Sequence, residues 1–270
     1  MVETRPLAVV TAYSQLPGSG PSLTGGAAAG TGALYADRLA KRGYDLLLVS
    51  RDASRLALLS DRLRRETGVE ITAISADLSA PEDVARVESI LGNVGNISLL
   101  VNAAAAAAPG GFACAAQETL DRLIQVNIST LVRLTAAALP GVLSARGAIV
   151  NLTSETAFAP QLPTGLYSAS KAFVLTFSQS LAEQLANSAV FVQTVVLPTT
   201  QREIWELSGR MQDEPDHYAF DVGALVDSAL EGLDRQERVT FPGRDIGQRW
   251  QKFMQASQAL AAGMTGAIKR

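Results

Sequence analysis

Tyr167 and Lys171 lie four residues apart in the segment YSASK (167–171). On a helix, this spacing places both side chains on one face. A free tyrosine has a pKa of about 10, and a neighbouring ammonium lowers that pKa because it favours the phenolate. Such a pair can act as a general acid/base on an alcohol or its carbonyl. Tyr167 is the only one of five tyrosines with a lysine four residues on. An ordinary pair on a helix surface is the alternative.

Two further polar residues could join this pair. Ser154 lies thirteen residues before Tyr167, just past a predicted strand at 147–153. A hydroxyl at the carboxyl end of a strand can donate a hydrogen bond to a carbonyl oxygen, although a turn or N-cap serine is the alternative. Asn127 lies inside a predicted helix, where asparagine is a mediocre helix former. It could hold a water or a backbone bend near the site, or be a surface asparagine.

The elements that would position these residues alternate along the chain. Short apolar runs rich in β-branched residues predict strands at 7–11, 45–50, 69–77, 97–102, 147–153, 190–198 and 238–243. Amphipathic segments predict helices at 29–43, 53–68, 81–92, 118–139 (closed by Pro140), 166–186, 222–233 and 248–262. This alternation predicts a single α/β domain over 1–270, a doubly wound sheet of about seven parallel strands with helices on both faces. Ligands of such sheets bind at the carboxyl ends of the strands.

Composition excludes several classes of function. The 270 residues are 47% hydrophobic and 18% charged with a net charge of −3, which argues against disorder and against a nucleic-acid or anionic-membrane partner. One cysteine (Cys114) and one histidine (His217) cannot form a Cys/His zinc site or a disulfide framework, so no metal is expected. No targeting segment is visible, and the apolar stretch 97–108 is too short to span a bilayer. We therefore expect a soluble, cytoplasmic protein.

Asn127, the spacing of Ser154 and the YSASK segment together resemble the short-chain dehydrogenase/reductase family. The resemblance covers residues from about 5 to 242, with RLAKRGYDLLLVSRD (38–52), ISADLS (74–79), LLVN (99–102), IVNLTS (149–154) and VVLP (195–198) in the family's order. It implies a Rossmann-type oxidoreductase in which Tyr167 is the proton donor and acceptor. It also implies that Lys171 binds the nicotinamide ribose and lowers the tyrosine pKa, that Ser154 orients the carbonyl, and that Asn127 belongs to a proton relay.

The resemblance also implies where a dinucleotide cofactor binds. The positions carried over are Gly26, Gly30, Gly32, Asp77 (the adenine-binding aspartate), Asn102, Lys171 and Pro198. At the end of the second strand, Arg51 follows Ser50 where an NAD-binding sheet usually presents a carboxylate. An arginine suits a 2′-phosphate, so NADP(H) is the preferred cofactor. The alternative is NAD(H), with Asp52 binding the ribose.

The sequence departs from the family pattern on the cofactor side. An inserted loop, 12–24, precedes the glycines, NAAA (102–105) stands where NNAG is usual, and Thr199 replaces a glycine after Pro198. If the position of Ala105 needs a positive φ or a close approach of the cofactor, alanine there is unfavourable. These departures suggest an atypical reductase whose insert remodels the dinucleotide entrance.

Apolar residues after the sixth strand suggest the substrate. The loop 199–221 offers Trp205 and Met211, and Phe158 and Leu162 would line the other wall. They favour a hydrophobic ketone, aldehyde or secondary alcohol, although a packed helix with Trp205 in the core is the alternative. Helices 118–139 and 166–186 are expected to form the family's four-helix interface, giving a homodimer or homotetramer, and 244–270 is a helical tail. A non-catalytic binding or regulatory protein on a decayed fold, and a non-redox lyase or epimerase, are the competing functions.

Overall fold

Seven parallel strands form one sheet in the order β3-β2-β1-β4-β5-β6-β7. The computed structural model describes residues 5–12, 30–108, 112–113, 115–162, 164–199 and 221–268, with side chains as far as residue 264. The strands are β1 (Leu7–Thr11), β2 (Asp45–Ser50), β3 (Ile71–Ser75), β4 (Leu99–Asn102), β5 (Ala148–Ser154), β6 (Phe191–Leu197) and β7 (Val239–Thr240). The predicted doubly wound parallel sheet is confirmed, although β3, β4 and β7 are shorter than the sequence pattern suggested.

Helices cover both faces of the sheet. They are α1 (Thr31–Lys41), α2 (Ala53–Thr67), α3 (Pro81–Gly92), α4 (Gln117–Ile124), α5 (Leu131–Ala145), α6 (Gly165–Gln184), α7 (Val222–Asp234) and α8 (Gly247–Ile268). One core cluster joins α1, α2 and α7 to the strands through residues such as Leu39, Leu56 and Val226. A second joins α3, α5 and α6 to the opposite face through Val84, Leu134 and Leu181. Because both faces of the inner strands are buried, those strands are continuous apolar runs rather than alternating ones, whereas three of the five residues of the edge strand β3 are exposed.

The helix predicted to end at Pro140 continues through it to Ala145. Proline lacks the N–H of a normal helical residue and usually bends or ends a helix. Here the next turn is fixed by tertiary contacts, since the Gly141 carbonyl accepts a hydrogen bond from the Ile97 N–H at 3.1 Å. Gly141 also approaches so closely that an added Cβ would lie 2.4 Å from the Val94 carbonyl oxygen. The prediction that Pro140 closes the helix is wrong because this packing outweighs the missing hydrogen bond.

A π-helical segment, Gln125–Thr130, joins α4 to α5 and makes one continuous helical span. By length and hydropathy this span, Gln117–Ala145, is apolar enough to cross a bilayer, which is weak evidence because core helices of soluble proteins have the same property. Val126, Leu134 and Val142 on this span belong to the core cluster beneath the sheet. The homodimer or homotetramer expected from this span and α6 stays a prediction.

Ion pairs fix α1, the helix that follows the glycine motif, against its neighbours. Asp37 of α1 lies 3.0 Å from Arg62 of α2, and Arg38 lies 2.8 Å from Asp227 of α7. The Asp37 carboxylate is buried, and it also contacts Lys41 and Arg38. A buried carboxylate needs such partners, so these contacts hold the carboxyl-terminal half of α1 against α2 and α7.

Tyr35 of α1 provides a test of this packing. Its side chain is fully buried in the core, its hydroxyl has no hydrogen-bond partner among the described residues, and burial raises its pKa. Replacing an unsatisfied buried polar group by an apolar one of the same shape is neutral or stabilising. We expect Tyr35→Phe to raise the free energy of unfolding by about 1 kcal/mol, measured by urea denaturation. The half-buried Tyr44→Phe is the control, with a change within about 0.5 kcal/mol. A loss of stability for Tyr35→Phe would contradict the assigned packing.

Candidate active site

Helix α6 presents Tyr167 and Lys171 to the carboxyl end of β5. The Lys171 Nζ lies 5.6 Å from the centre of the Tyr167 ring and donates a hydrogen bond to the Leu152 carbonyl oxygen at 3.3 Å. The Thr153 hydroxyl in turn donates to the Lys171 carbonyl oxygen at 2.6 Å. These two hydrogen bonds therefore connect α6 to β5 in the turn of the helix that carries Tyr167 and Lys171. Both side chains are buried, so the pair is not the ordinary surface pair that was the alternative.

Burial also changes the acidity of this pair. Burial lowers the pKa of Lys171 to about 8, because the ammonium loses its hydration. At neutral pH the amine is still mostly protonated, so a positive charge lies beside the Tyr167 ring. The ring itself packs against Ala108, Leu120 and Leu123. A phenol next to a buried cation is suited to proton transfer, because the cation favours its ionised form.

Ser154 is the last residue of β5 rather than a residue just past it. Its Oγ accepts hydrogen bonds from the Thr156 N–H at 3.2 Å and from the Thr156 hydroxyl at 3.1 Å. It also lies 2.6 Å from the Thr199 Oγ1. The side chain thus caps the 3-10 turn Glu155–Phe158, which was the structural alternative, and at the same time places a hydroxyl at the carboxyl end of the strand.

Asn127 is completely buried in the π-helical segment and is not a surface asparagine. Its Oδ1 accepts from the Ala106 N–H at 2.7 Å, and its Nδ2 donates to the Ala106 carbonyl oxygen at 2.9 Å. The same Nδ2 donates to the Ser170 hydroxyl at 2.9 Å, and that hydroxyl donates to the Tyr167 carbonyl oxygen. Asn127 therefore ties the segment after β4 to the turn of α6 that carries Tyr167 and Lys171.

A row of polar side chains crosses the sheet just below these residues. Thr11, Asn102 and Asn151 are register neighbours on β1, β4 and β5. The Asn102 Nδ2 donates to the Asn151 Oδ1 at 2.8 Å and to the Thr135 hydroxyl at 3.0 Å. The Asn151 Nδ2 donates to the Ser178 hydroxyl of α6 at 2.9 Å. The side chain of Asn102, predicted to bind cofactor, is thus engaged inside the protein, and it fixes β4, β5 and α6 relative to one another.

The amino-terminal end of α1 can accept the phosphates of a dinucleotide. Gly30, the N-cap residue, has φ 94° and ψ −150°, a conformation open in practice only to glycine. Among the described residues no side chain caps this helix end, and its first turn, which contains Gly32, carries no acidic residue. The first N–H groups of a helix and its dipole favour an anion. The donor set and the backbone of Gly30 therefore fit a pyrophosphate.

The groups expected around the adenosine lie at the ends of β2 and β3. The Arg51 guanidinium lies 3.9 Å from the Asp77 carboxylate, which also accepts two hydrogen bonds from Ser79. The Ser50 hydroxyl is buried without a hydrogen-bond partner among the described residues. Asp52, the alternative ribose ligand, instead accepts from the Arg55 N–H at 3.0 Å as the N-cap of α2. Arg51 thus presents a guanidinium at this end of the sheet, and the nearby carboxylates Asp52 and Asp77 are engaged.

Alanines replace the family's asparagine and glycine without backbone strain. Among the described non-glycine residues, positive φ angles occur at Arg146 and Gln236 and not in the run 103–108. The backbone condition under which Ala105 would be unfavourable is therefore absent, and the effect of a close cofactor approach at this position stays a prediction. The run is coil, and the Ala103 N–H donates to the Thr11 carbonyl oxygen at 3.1 Å.

The predicted substrate wall is described only in part. Phe158 lies at the end of the 3-10 turn, and its ring packs within an aromatic cluster with Phe241, Trp250 and Phe253. Leu162 is partly buried in the connection to α6. Other predictions fall outside the described residues, namely Gly26, Trp205, Met211, most of the loop 12–24 and residues 200–220 of the substrate loop. Among the residues with described positions, no group of three or more His, Cys, Asp or Glu could hold a metal.

Several residues that shape this site escaped the sequence analysis. Asn151, Ser170 and Thr156 were not singled out, and Thr199 was noted only as the replacement of a glycine. A signal existed for Asn151, because β4 and β5 carry an asparagine at the same level as LLVN and IVN. No comparable signal existed for Ser170 or Thr156, since serine and threonine are common near helix starts.

This doubly wound sheet, with a buried tyrosine, lysine and serine at its carboxyl edge, defines the class of dinucleotide-dependent oxidoreductases. A family model described as short chain dehydrogenase matches residues 23–213. The very-long-chain 3-oxoacyl-CoA reductase of Mus musculus is 30% identical over 216 residues, 78% of this chain and 67% of that protein. The same reductase of Anas platyrhynchos is 32% identical over 238 residues, 86% of this chain and 75% of that protein. The chain belongs to the short-chain dehydrogenase/reductase family and is an oxidoreductase of that family.

Solved structures agree with this assignment. A short-chain dehydrogenase from Sphingobium yanoikuyae in complex with NADPH is 40% identical, with a TM-score of 0.84 and 95% of each chain covered. A bulky-bulky ketone specific alcohol dehydrogenase from Comamonas testosteroni is 37% identical, with a TM-score of 0.82, covering 95% of this chain and 94% of that one. The resemblance stated from the residues is therefore confirmed at the level of the family and the fold.

The lowered pKa of Lys171 makes a prediction for stability. Below pH 8 the folded protein keeps a charged amine buried at Lys171, which lowers its free energy of unfolding. This loss of stability is relieved as the pH rises from about 8 to 10.5, because the folded protein then releases the proton more readily than the unfolded chain does. We expect Lys171→Met to raise the free energy of unfolding by about 1–3 kcal/mol at pH 7, with the difference shrinking toward pH 10. Urea denaturation between pH 7 and 10 measures it. The exposed Lys252→Met serves as the control, and its difference from the parent protein should not change over this range. A difference for Lys171→Met that grows with pH would contradict the assignment.

Proposed function

We propose that this protein is an NADP(H)-dependent ketoreductase or alcohol dehydrogenase acting on hydrophobic carbonyls or secondary alcohols. The observation that carries the proposal is that the buried pair Tyr167 and Lys171 is bonded to β5 at Leu152, two residues before the Ser154 hydroxyl that ends the strand. A phenol, an ammonium and an alcohol group are the set needed to bind a carbonyl oxygen and move a proton to it.

Each residue has a distinct part in the proposed reaction. Tyr167 donates its phenolic proton to the carbonyl oxygen in reduction and takes it back in oxidation. Lys171 keeps the phenolate accessible, because its charge lies beside the ring. Ser154 donates a hydrogen bond to the oxygen as negative charge develops there. Bound NADP(H) would supply or accept the hydride, and the residues that would hold it are Gly30, Arg51, Asp77 and Lys171.

Arg51 supports NADP(H) over NAD(H). A guanidinium gives a 2′-phosphate paired, charge-assisted hydrogen bonds. The carboxylate that would hold a ribose hydroxyl in the alternative, Asp52, is engaged as the N-cap of α2. The relative from Sphingobium yanoikuyae, 40% identical, was solved with NADPH. NAD(H) is the alternative cofactor, and the affinities of the Arg51→Ala variant for NADPH and NADH distinguish the two.

The proposed substrate is a ketone with two bulky apolar substituents or the matching secondary alcohol. The Comamonas testosteroni relative is named for bulky-bulky ketones and is 37% identical. In this chain the wall at Phe158 is aromatic, since its ring lies 5.9 Å from Trp250 and 6.2 Å from Phe241. Large apolar groups are bound well by such walls.

The competing proposal is a non-catalytic protein, and it is based on the residues that differ from the family pattern on the cofactor side. Ala103 and Ala105 have no positive φ, and Thr199 forms a hydrogen bond with Ser154. These residues therefore leave the catalytic set in place, which favours an enzyme. The lyase or epimerase alternative predicts no net oxidation of NADPH in the presence of a ketone.

The proposal predicts that Tyr167→Phe abolishes turnover. Phenylalanine keeps the packing against Leu120 and Leu123 but has no proton to transfer. We expect a fall in kcat of about 10²–10⁴-fold, followed as NADPH oxidation with a panel of bulky aryl ketones. Circular dichroism verifies folding, and Tyr44→Phe is the matched control with unchanged turnover. Turnover by Tyr167→Phe at the parent rate would overturn the proposal.

Cofactor choice is tested by Arg51→Ala. Loss of charge-assisted hydrogen bonds to a 2′-phosphate should raise the Kd for NADPH about 10–100-fold and leave the Kd for NADH nearly unchanged. Titration of nucleotide fluorescence measures both constants. Arg65→Ala, in the last turn of the same helix that follows Arg51, should change neither. An equal loss of affinity for both nucleotides would contradict the role given to Arg51.

A further inference from the structure

Three hydroxyl groups meet where β5 and β6 end. Ser154 and Leu197 are register partners on these strands, so Thr199, two residues past Leu197, lies beside Ser154. The Ser154 Oγ is 2.6 Å from the Thr199 Oγ1 and 3.1 Å from the Thr156 Oγ1. The Thr156 side chain is completely buried, whereas Thr199 is partly exposed.

The number of protons and lone pairs on Ser154 determines which hydrogen bonds its hydroxyl donates and which it accepts. A serine hydroxyl has one proton and two lone pairs. The N–H and the hydroxyl of Thr156 both donate to the Ser154 Oγ, which fills both lone pairs. The only role left for Ser154 is therefore to donate its own proton. Among the residues that the structure describes, the acceptor within reach is the Thr199 Oγ1.

Thr199 is itself held by the residue between Ser154 and Thr156. Its N–H donates to the Glu155 Oε1 at 2.9 Å, and the same oxygen lies 3.3 Å from the Arg244 Nη2. The short segment Ser154–Glu155–Thr156 thus fixes both neighbours of the serine hydroxyl: Thr156 through its own backbone, and Thr199 through the Glu155 carboxylate.

We propose that Thr156 is a positioning residue that holds the Ser154 hydroxyl as a hydrogen-bond donor, and that Thr199 accepts this hydrogen bond until a substrate oxygen takes its place. This inference rests on the proposed reduction of a carbonyl. A carbonyl oxygen only accepts hydrogen bonds, so a serine that presented a lone pair would repel it. A donor oriented in advance stabilises the developing negative charge without reorganisation in the reaction step.

Removing the Thr156 hydroxyl frees one lone pair of Ser154. The serine can then keep its own proton on the Thr199 Oγ1 and turn the freed lone pair, instead of the proton, toward the substrate. The structural alternative is that Thr156 merely supports the turn after β5, in which case its substitution acts on folding and not through Ser154. The two roles predict different effects of a Thr156 substitution on kcat when the Ser154 hydroxyl has already been removed.

The test is a double-mutant cycle with Thr156→Val, which keeps the shape, and Ser154→Ala. With NADPH and the bulky aryl ketone reduced fastest, we expect Thr156→Val to lower kcat about five- to tenfold with KM nearly unchanged. In the Ser154→Ala background the same substitution should change kcat less than twofold. Thr156→Ser, which keeps the hydroxyl, should restore the parent rate.

The outcomes are separable. An equal loss from Thr156→Val in both backgrounds, or no loss in either, overturns the positioning role. If Thr156→Val does not fold, Thr156→Cys, whose thiol is a weak donor, enters the same cycle with the same expectations. Full turnover by Tyr167→Phe would instead overturn the proposed reaction, whatever Thr156 does, so the two failures are distinguishable.

Discussion

The ammonium group of Lys171 lies buried between α6 and the carboxyl end of β5. The positions of the neighbouring side chains depend on this buried charge. A buried cation is costly unless polar groups face it. Here the Leu152 carbonyl oxygen accepts its hydrogen bond, and the Tyr167 ring lies 5.6 Å from its nitrogen. These contacts therefore fix the rotation of α6 about its axis and its position along β5. The same constraint holds the Tyr167 ring beside the buried amine, so a feature that disfavours folding also sets up the pair on which the proposed proton transfer depends.

Buried amides transmit this constraint to the rest of the sheet. Asn127 clamps the backbone of Ala106 and reaches Ser170, while Asn102 and Asn151 bridge β4 and β5 to Thr135 and Ser178. Each amide satisfies its neighbours in an interior where an unpaired polar group would be unfavourable. The active-site edge is consequently fixed by several hydrogen bonds that depend on one another, and apolar packing supplies the layers above and below.

Much of this architecture was predictable from the sequence. Continuous apolar runs such as DLLLVS identified the strands, because both faces of a parallel sheet are covered. The spacing of Tyr167, Lys171 and Ser154 predicted a catalytic group, and the structure brings these residues to one edge of the sheet. The continuation of α5 through Pro140 and the π-helical turn at Asn127 could not be predicted, since contacts distant in sequence decide them. The hydrogen bonds of Thr156 and Thr199 to Ser154 likewise depend on how β5 and β6 pair.

The central claim is that this group of side chains supports hydride transfer to a bulky ketone. It is tested most directly by supplying NADPH deuterated at the transferable C4 position and analysing the alcohol by mass spectrometry. The account predicts one deuterium in the product, at the carbinol carbon, in amounts equal to the NADP⁺ formed. An alcohol without deuterium, or no alcohol at all from any bulky ketone tested, would contradict it.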